Sequence, residues 1–349
     1  MKATVLYGSH DVRLADVPDP VIAEPTDAVV RVVAAAVCGS DLWTYRGAVP
    51  LAEPARFGHE FIGVVEDTGR SVRTLRPGDF VVAPFNASDN TCPNCLNGVH
   101  TSCERVAHWG VPGPGGHVMD AGQGEAVRVP MADGTLVATP SQPAAEQIPS
   151  LLALCDVMAT GRHAVRTAQV APGETVVVVG DGAVGLCAVL AAERAGADRI
   201  VTMARHPARQ ALAEEFGATD IVASRGEEGV AEVRELLGGR LADAAMECVG
   251  TDASLSQAIG TVRPGGRVAC VGLPLGVTAY PYRRVFSGSL TVSAGSAPAR
   301  AYLPGLLADV CSGSISPGRV FDGVYPLDQV ADAYAAMDDR TVIKALLRP

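Results

Sequence analysis

From the N-terminus to about residue 150, the apolar positions fall in short runs. Residues 28–37 (AVVRVVAAAV) and 61–66 (FIGVVE) are β-branched or alternating, and Gly, Pro and Asp punctuate the gaps, as in Arg76-Pro77-Gly78-Asp79. This spacing predicts a β-rich region with many turns. Beyond that point the period changes. Residues 151–170 are apolar at helical spacing and predict one long helix. Strand-like and helix-like segments then alternate. Residues 174–179 form a strand with no polar face, 183–195 a helix, 199–203 a strand, and 207–216 a helix with Pro at its first turn. The series continues through 221–222, 230–237 and 244–248, then a helix over 254–262 and a strand over 266–271. Repeated strand–helix units of this size imply a parallel sheet covered on both faces. The segment from about residue 297 carries helices at 302–311 and 327–337 and is expected to return to the first domain.

Length and composition narrow the picture. The chain has 349 residues, enough for two domains, with 48% hydrophobic and 19% charged residues, the balance of a globular protein with a sizeable core. A formal net charge of −10 argues against nucleic acid or an acidic membrane surface as partner. No apolar run approaches the ~18 residues that would cross a bilayer. The N-terminus reads as strand, turn, strand, without a cationic start, an apolar h-region or a cleavage site, so the cytoplasm is the expected compartment. Nine cysteines are an odd number and would be awkward to pair as disulfides there. Two of them, Cys92 and Cys95, stand as C-x2-C with Cys103 following, a spacing that points to metal.

The strand over 174–179 runs directly into Gly180-Asp181-Gly182-Ala183-Val184-Gly185, a G-x-G-x-x-G followed by a helix. Glycines there permit the tight turn and let the backbone approach a pyrophosphate at the helix N-terminus. Gly180, Gly182, Ala183, Val184 and Gly185 are therefore candidate dinucleotide contacts; without the surrounding βα units they would read only as a glycine-rich turn. When the cofactor is NAD, an acidic residue about 20 positions on pairs with the ribose hydroxyls. Here the strand ends in Ala204-Arg205-His206, with no carboxylate. Arg205 would attract a 2′-phosphate, so NADP(H) is favoured over NAD(H), with His206 and Arg209 as assisting residues or as a solvated helix start.

Three separated pieces carry further metal chemistry: Cys38-Gly39-Ser40-Asp41, Gly58-His59-Glu60, and Leu154-Cys155-Asp156 ahead of Thr160-Gly161. Each is unremarkable alone. With Arg76–Asp79, the clustered cysteines, the glycine loop, Tyr325–Tyr334 and Lys344, the chain resembles the zinc-containing medium-chain alcohol dehydrogenases over essentially its whole length. The resemblance implies an α/β protein. A GroES-like β-rich catalytic domain is expected over residues 1–155 and 297–349, with a zinc lobe near 86–108, and a doubly wound Rossmann coenzyme domain over 156–296.

By the same resemblance, Cys38, His59 and Asp156 look like the catalytic zinc ligands. Thiolate, imidazole and carboxylate leave a fourth position for substrate or water. Asp156 rather than Cys155 is chosen because it stands four residues before Thr160, where the family's third ligand lies. Glu60 is either a transient ligand or a partner of the site. The second constellation, Asp89-x2-Cys92-x2-Cys95-x7-Cys103, looks like the family's structural zinc lobe with Asp89 in the first cysteine position. Zinc accepts carboxylate oxygen; a lobe without metal, or a fourth ligand from His100 or His108, are the alternatives. Thr160 is expected on the nicotinamide side, Val249 and Gly250 on the floor of the adenosine cleft, and Gly272 and Leu273 at a strand end where ligands collect.

The implied reaction moves a hydride between a small alcohol, aldehyde or ketone and the nicotinamide cofactor, in a homodimer or homotetramer. Ser40, two residues after Cys38, is the candidate proton carrier. Where relatives commonly continue the relay with a histidine, this chain has Trp43, which exchanges no proton near neutral pH. Asp41 is an alternative relay member, and Trp43 either lines the substrate pocket or packs. The Gly-rich segment 109–125 reads as a flexible loop near the cofactor cleft, containing Gln123 and a solvated His117. Three rivals remain: a zinc-free quinone or enone reductase of the same superfamily, which would lack Cys38, His59 and Asp156 together; a zinc-ribbon module for nucleic acid, which the acidic charge and complete dinucleotide pattern oppose; and a structural protein that keeps the fold without activity, which the intact ligands oppose.

Overall fold

The computed structural model describes residues 1–50, 54–111 and 119–349; His117 lies outside the described residues. The chain forms two compact units, Met1–Asp156 with Pro298–Pro349, and Val157–Ala297.

The first unit is built on a seven-stranded sheet whose central strand, Ala28–Ala36, pairs antiparallel with Glu60–Thr68, with Ala126–Val129 and with the C-terminal strand Lys344–Arg348. The apolar run that marks Ala28–Ala36 in the sequence is buried on both faces apart from the half-buried Val33 and the exposed Arg31, whose guanidinium reaches Glu66 at 3.3 Å. Two registers define one end of this sheet. Ala36 stands opposite Glu60, and Leu346 opposite Ala36. The returning strand thus lies directly beside the end of the central one, and Val37 N–H donates to the Ala345 carbonyl at 3.1 Å.

Gln123 is one of the polar residues buried in this core. The segment holding it is expected from its glycines to be a flexible loop, but Gln123 is 1% exposed. Its Nε2 donates to the Ala36 carbonyl at 2.9 Å and its Oε1 accepts from the Tyr334 hydroxyl at 3.1 Å. A buried amide with both ends satisfied acts as a brace. It also explains Gly58, at φ +93°, where an added Cβ would stand 2.3 Å from Gln123 Cγ.

The second unit is a six-stranded, all-parallel sheet. Its spatial order is Asp220–Val222, Arg199–Met203, Thr175–Val179, Ala242–Glu247, Val262–Cys270, Thr291–Ala294. Numbered along the chain, this is 3-2-1-4-5-6, the doubly wound order of dinucleotide-binding folds. The predicted α/β class holds. The order reverses between Thr175–Val179 and Ala242–Glu247, so the loop at Gly180 opens at the switch point.

The expected single helix over 151–170 is two helices, Ile148–Ala153 and Val157–Thr167, separated by a turn at Leu154, Cys155 and Asp156. Leu154 and Cys155 N–H donate to the carbonyls of Leu151 and Leu152, three residues back, and the Cys155 carbonyl accepts from Phe85 N–H at 3.1 Å. Cys155 Sγ lies 3.2 Å from the Phe61 carbonyl. Tertiary bonds to two strand segments replace the helical ladder, and periodicity cannot reveal this because Leu154 and Cys155 are apolar whichever way the backbone turns.

The Gln123 brace gives a stability prediction. Gln123→Ala leaves the Ala36 carbonyl without its donor in a dry core and should cost about 2–3 kcal/mol. The change is read as a lowered urea midpoint at unchanged slope; an unaltered midpoint would show that the amide is dispensable.

Candidate metal and coenzyme sites

Cys38 lies two residues beyond the end of the central strand, and His59 immediately precedes the strand that pairs with it. The C-terminal strand brings Lys344 to the same edge, and the turn between the two helices supplies Asp156. One ligand atom from each of Cys38, His59, Glu60 and Asp156 lies within 4.8 Å of every other. Asp156 Oδ2 is 3.5 Å from both His59 Nε2 and Cys38 Sγ. The structure thus brings together three residues the sequence holds far apart. Ser40 is half-buried beside them, its N–H donating to Cys38 Sγ at 3.5 Å.

Asp41, which the sequence offers only as an alternative relay member, is 6% exposed and faces the other nitrogen of His59, Oδ1 to Nδ1, at 3.2 Å. Its Oδ2 accepts the Cys38 N–H at 2.9 Å. One carboxylate therefore fixes both a ring orientation and the backbone of a neighbouring thiol. Such outer carboxylates set the tautomer of ligating histidines. Glu60 is wholly buried; Oε1 accepts from Lys344 Nζ at 2.6 Å, while Oε2 is buried without a partner among the described residues. Lys344 Nζ also donates to the Val37 carbonyl at 3.1 Å. Trp43 is half-buried on the short helix Asp41–Tyr45.

The electrostatics are those of a site short of positive charge. Burial, then Asp156, pushes the Cys38 thiol up. Burial alone would lower the His59 pKa, but Asp41, Cys38 and Asp156 outweigh it and drive it well above the usual value. Burial also opposes charge on Lys344, yet Glu60 and Cys38 hold it firmly protonated. A soft anion, an imidazole and a carboxylate converging beside an orphaned carboxylate oxygen form a donor set that zinc accepts.

The second cluster, Asp89, Cys92, Cys95 and Cys103, also keeps its ligand atoms within 4.8 Å of one another. Asp89 Oδ1 accepts the N–H groups of Thr91 at 2.9 Å and Cys92 at 3.0 Å. Against the opposing effect of burial, these bonds hold its carboxyl down to about 2. Cys103 Sγ accepts N–H groups from Asp89 at 3.4 Å and Arg105 at 3.3 Å, which oppose but do not overcome the burial that pushes its thiol up. His100, the alternative fourth ligand, turns its Nε2 to Asn90 Oδ1 at 2.7 Å. His108 lies on the two-residue strand Ala107–His108.

In the second unit, Gly182 is the extended N-cap of Ala183–Arg194 and no side chain caps it. Gly180 has φ +119°, and a Cβ on Gly185 would stand 2.0 Å from the Gly180 carbonyl oxygen, so the turn demands glycine at both. A Cβ on Gly182, by contrast, would meet nothing within 4 Å, which leaves open space over the helix N-terminus. The residues following the next two strands also meet: a Cβ on Gly250 would be 2.0 Å from the Leu273 carbonyl oxygen, and one on Gly272 2.2 Å from Gly250 N. Glu247, which the sequence did not single out, clamps this crossing by accepting the N–H groups of Val249 and Gly250, each at 2.7 Å. Thr160 is buried on Val157–Thr167, Arg205 is exposed, and His206 and Arg209 are half-buried.

A carboxylate does stand at the end of Arg199–Met203, where the sequence shows none. It comes from Asp181 inside the glycine loop, whose Oδ2 accepts the N–H groups of Arg205 at 3.0 Å and His206 at 3.3 Å. A search along the strand itself passes over it because it precedes that strand by about twenty residues.

Residues 24–141 match the alcohol dehydrogenase GroES-like domain, and residues 183–309 match the zinc-binding dehydrogenase domain. The whole chain is 36% identical to a probable zinc-binding alcohol dehydrogenase of Mycobacterium tuberculosis, across 89% of that protein. The chain belongs to the zinc-dependent medium-chain alcohol dehydrogenases. Among solved structures, alcohol dehydrogenase TADH from Thermus sp. ATN1 superposes with a TM-score of 0.91 at 34% identity, covering 100% of this chain and 99% of that one. An NAD-dependent alcohol dehydrogenase gives 0.85 at 27%, covering 100% of both chains. A putative zinc-binding dehydrogenase from Sinorhizobium meliloti, bound to NADP, gives 0.83 at 27%, covering 100% and 99%. Membership makes the protein an NAD(P)-dependent oxidoreductase acting on small molecules. No helix among the described residues is long and apolar enough to cross a membrane.

Metal analysis tests both clusters. Purified protein should carry about two zinc per chain, falling to about one in Asp89→Ala with Cys92→Ala, while Cys38→Ser with His59→Ala removes the other. A full complement retained by either double variant would detach that cluster from metal.

Proposed function

We propose that the protein interconverts small alcohols with aldehydes or ketones, using zinc held by Cys38, His59 and Asp156 and a nicotinamide cofactor held at Gly180–Gly185, with NADP(H) favoured over NAD(H). The observation that carries this reading is the convergence of Cys38, His59 and Asp156 beside the partnerless Glu60 oxygen. Zinc there would supply Lewis acidity, lowering the pKa of an alcohol or polarising a carbonyl. A zinc-free reductase has no use for such a cluster.

The chain's own residues do the rest. Asp41 accepts Nδ1–H of His59, leaving the Nε2 lone pair on the side of Asp156 and Cys38, where it would hold a metal. Its second oxygen anchors the Cys38 backbone, so thiol and imidazole share one support. Lys344 holds Glu60 in place through Oε1, keeping a carboxylate at the edge of the ligand set. Ser40 takes the substrate proton through its hydroxyl and hands its own to the cofactor ribose and water, since the Trp43 indole N–H does not ionise near neutral pH. Gly182 leaves room for the pyrophosphate at the start of Ala183–Arg194, and Thr160, Val249, Gly250, Gly272 and Leu273 line the coenzyme side.

The NADP(H) preference rests on the exposed guanidinium of Arg205, with His206 and Arg209 next to it and Ala204 in the place of an acidic residue. The Asp89, Cys92, Cys95 and Cys103 lobe holds a second zinc with a structural role. Residues 1–155 and 297–349, with Asp156 at their boundary, carry the chemistry, and the rest of 156–296 the coenzyme. None of the nine cysteines is in a disulfide, which suits a reducing cytoplasm. A homodimer or homotetramer is the proposed assembly.

Cys38→Ala should abolish turnover while dissociation constants for NAD(H) and NADP(H) change by no more than about twofold, because the ligand set and the nucleotide loop sit in different units. Turnover that persists at wild-type rate would refute the zinc assignment. Arg205→Asp should shift kcat/KM from NADP(H) toward NAD(H) by about a hundredfold, through reversal of charge at a 2′-phosphate. An unchanged ratio would show that Arg205 takes no part.

A further inference from the structure

We propose that Asp181, the second residue of the glycine loop, is a specificity-determining residue that biases the coenzyme site toward NAD(H) and so opposes Arg205. The proposal rests on the dinucleotide site at Gly180–Gly185, but not on which coenzyme the wild-type protein prefers.

Asp181 is 8% exposed and does not point into open solvent. Its Oδ2 sits on the N–H groups of Arg205 and His206, at 3.0 and 3.3 Å. His206 is the N-cap of the nine-residue helix Pro207–Glu215. Arg209, one turn into that helix, brings Nη1 to 3.6 Å from Asp181 Oδ1 and donates to the Asp181 carbonyl at 3.4 Å. One short side chain therefore ties the turn after the first strand of the parallel sheet to the turn after the second. No other residue of the loop reaches across in this way among the contacts described.

Charge and donor supply have two consequences here. First, the backbone N–H pair at the start of Pro207–Glu215 is the kind of anion seat that a 2′-phosphate would use. Asp181 already fills it. Second, Arg209 is engaged with Asp181, which leaves the exposed Arg205 as the guanidinium available to a phosphate. A 2′-phosphate approaching Arg205 also meets the Asp181 carboxylate, a like charge in a poorly solvated place, whereas a free 2′-hydroxyl meets an acceptor. Specificity at this end of the site is the difference between two opposed charges rather than the property of one arginine.

The test is calorimetric binding of NAD+ and NADP+, and of ADP-ribose and 2′-phospho-ADP-ribose, to the full chain and to Asp181→Asn and Asp181→Ser. Both variants keep a hydrogen-bonding group and remove the charge. The ratio Kd(NAD+)/Kd(NADP+) should rise about tenfold in each, the order expected when one like charge beside a phosphate is removed. The rise should shrink as ionic strength increases, which a purely architectural role for Asp181 would not produce. A ratio within twofold of wild type in variants that still bind ADP-ribose overturns the proposal. Loss of all four ligands in both variants overturns it as well, by assigning Asp181 to the shape of the loop alone. A wild-type ratio favouring NAD+ would count against the NADP(H) preference proposed for Arg205 and leave the shift caused by Asp181 to be judged on its own.

Discussion

Charge crowding at one end of a sheet is the constraint around which the first unit is arranged. Cys38, Asp41, Glu60 and Asp156 bring four acidic groups into a largely buried space, and Lys344 is the one fixed cation that the described contacts place among them. Isolated buried carboxylates are costly, and a buried pair repays its desolvation only with good geometry and further hydrogen bonds. Glu60 and Lys344 pair at 2.6 Å and Lys344 is tied further to the Val37 carbonyl, but Glu60 Oε2 stays without a partner among the described residues, so the condition is only half met. Asp41, Cys38 and Asp156 all act on His59, and together they drive its pKa up against the opposing effect of burial. A divalent cation resolves the same imbalance more completely, since it can be approached by thiolate, carboxylate and imidazole at once.

That crowding explains why the chain is threaded as it is. The central strand must end where its antiparallel neighbour begins, so that Cys38 and His59 meet, and the Ala36–Glu60 register does this. The last strand of the chain must return beside both, because Lys344 is needed against Glu60, and the Leu346–Ala36 register does that. The helix over 148–167 must break, since a continuous ladder would carry Asp156 around with its neighbours; bonds from Cys155 to Phe61 and Phe85 replace the ladder and hold the turn against the sheet. Gln123 then locks the end of the central strand to Tyr334, whose ring packs near Phe57 and Tyr45. Each is a backbone solution to a requirement set by side-chain charge.

How much of this is legible beforehand depends on the kind of signal. The change from short β runs to alternating strands and helices gives the α/β class, because burial imposes period and period survives in sequence. The glycine loop is legible for the same reason, since steric demand at Gly180 and Gly185 leaves a fixed spacing. The grouping of Cys38, His59 and Asp156 is not periodic at all, and it becomes readable only through resemblance to a family. What stays hidden are residues that act across a turn. Gln123 sits among glycines and reads as loop, although it is 1% exposed. Asp41 reads as a relay member until its two oxygens are found on His59 and Cys38. Asp181 stands in front of the strand whose end it serves, so an inspection of residues 199–206 for an acid finds none.

The glycines of the second unit separate what the fold requires from what a ligand requires. At Gly180 the backbone has φ +119°, at Gly185 a Cβ would strike the Gly180 carbonyl, and at Gly250 and Gly272 the chain segments themselves cross within van der Waals contact. At those four positions any side chain disturbs the protein's own backbone, whether or not a nucleotide is present. Gly182 is different. Its backbone is extended, it caps a twelve-residue helix without help from any side chain, and a methyl group there would touch nothing within 4 Å. Neither strain nor crowding accounts for glycine at Gly182. The nucleotide site proposed for this loop would account for it, because an anion drawn close to the N–H groups of the first helical turn would leave no room for even one methyl. The fold explains four glycines of the region, and the fifth is the one whose reason lies outside the fold's own contacts, where the proposed coenzyme would sit.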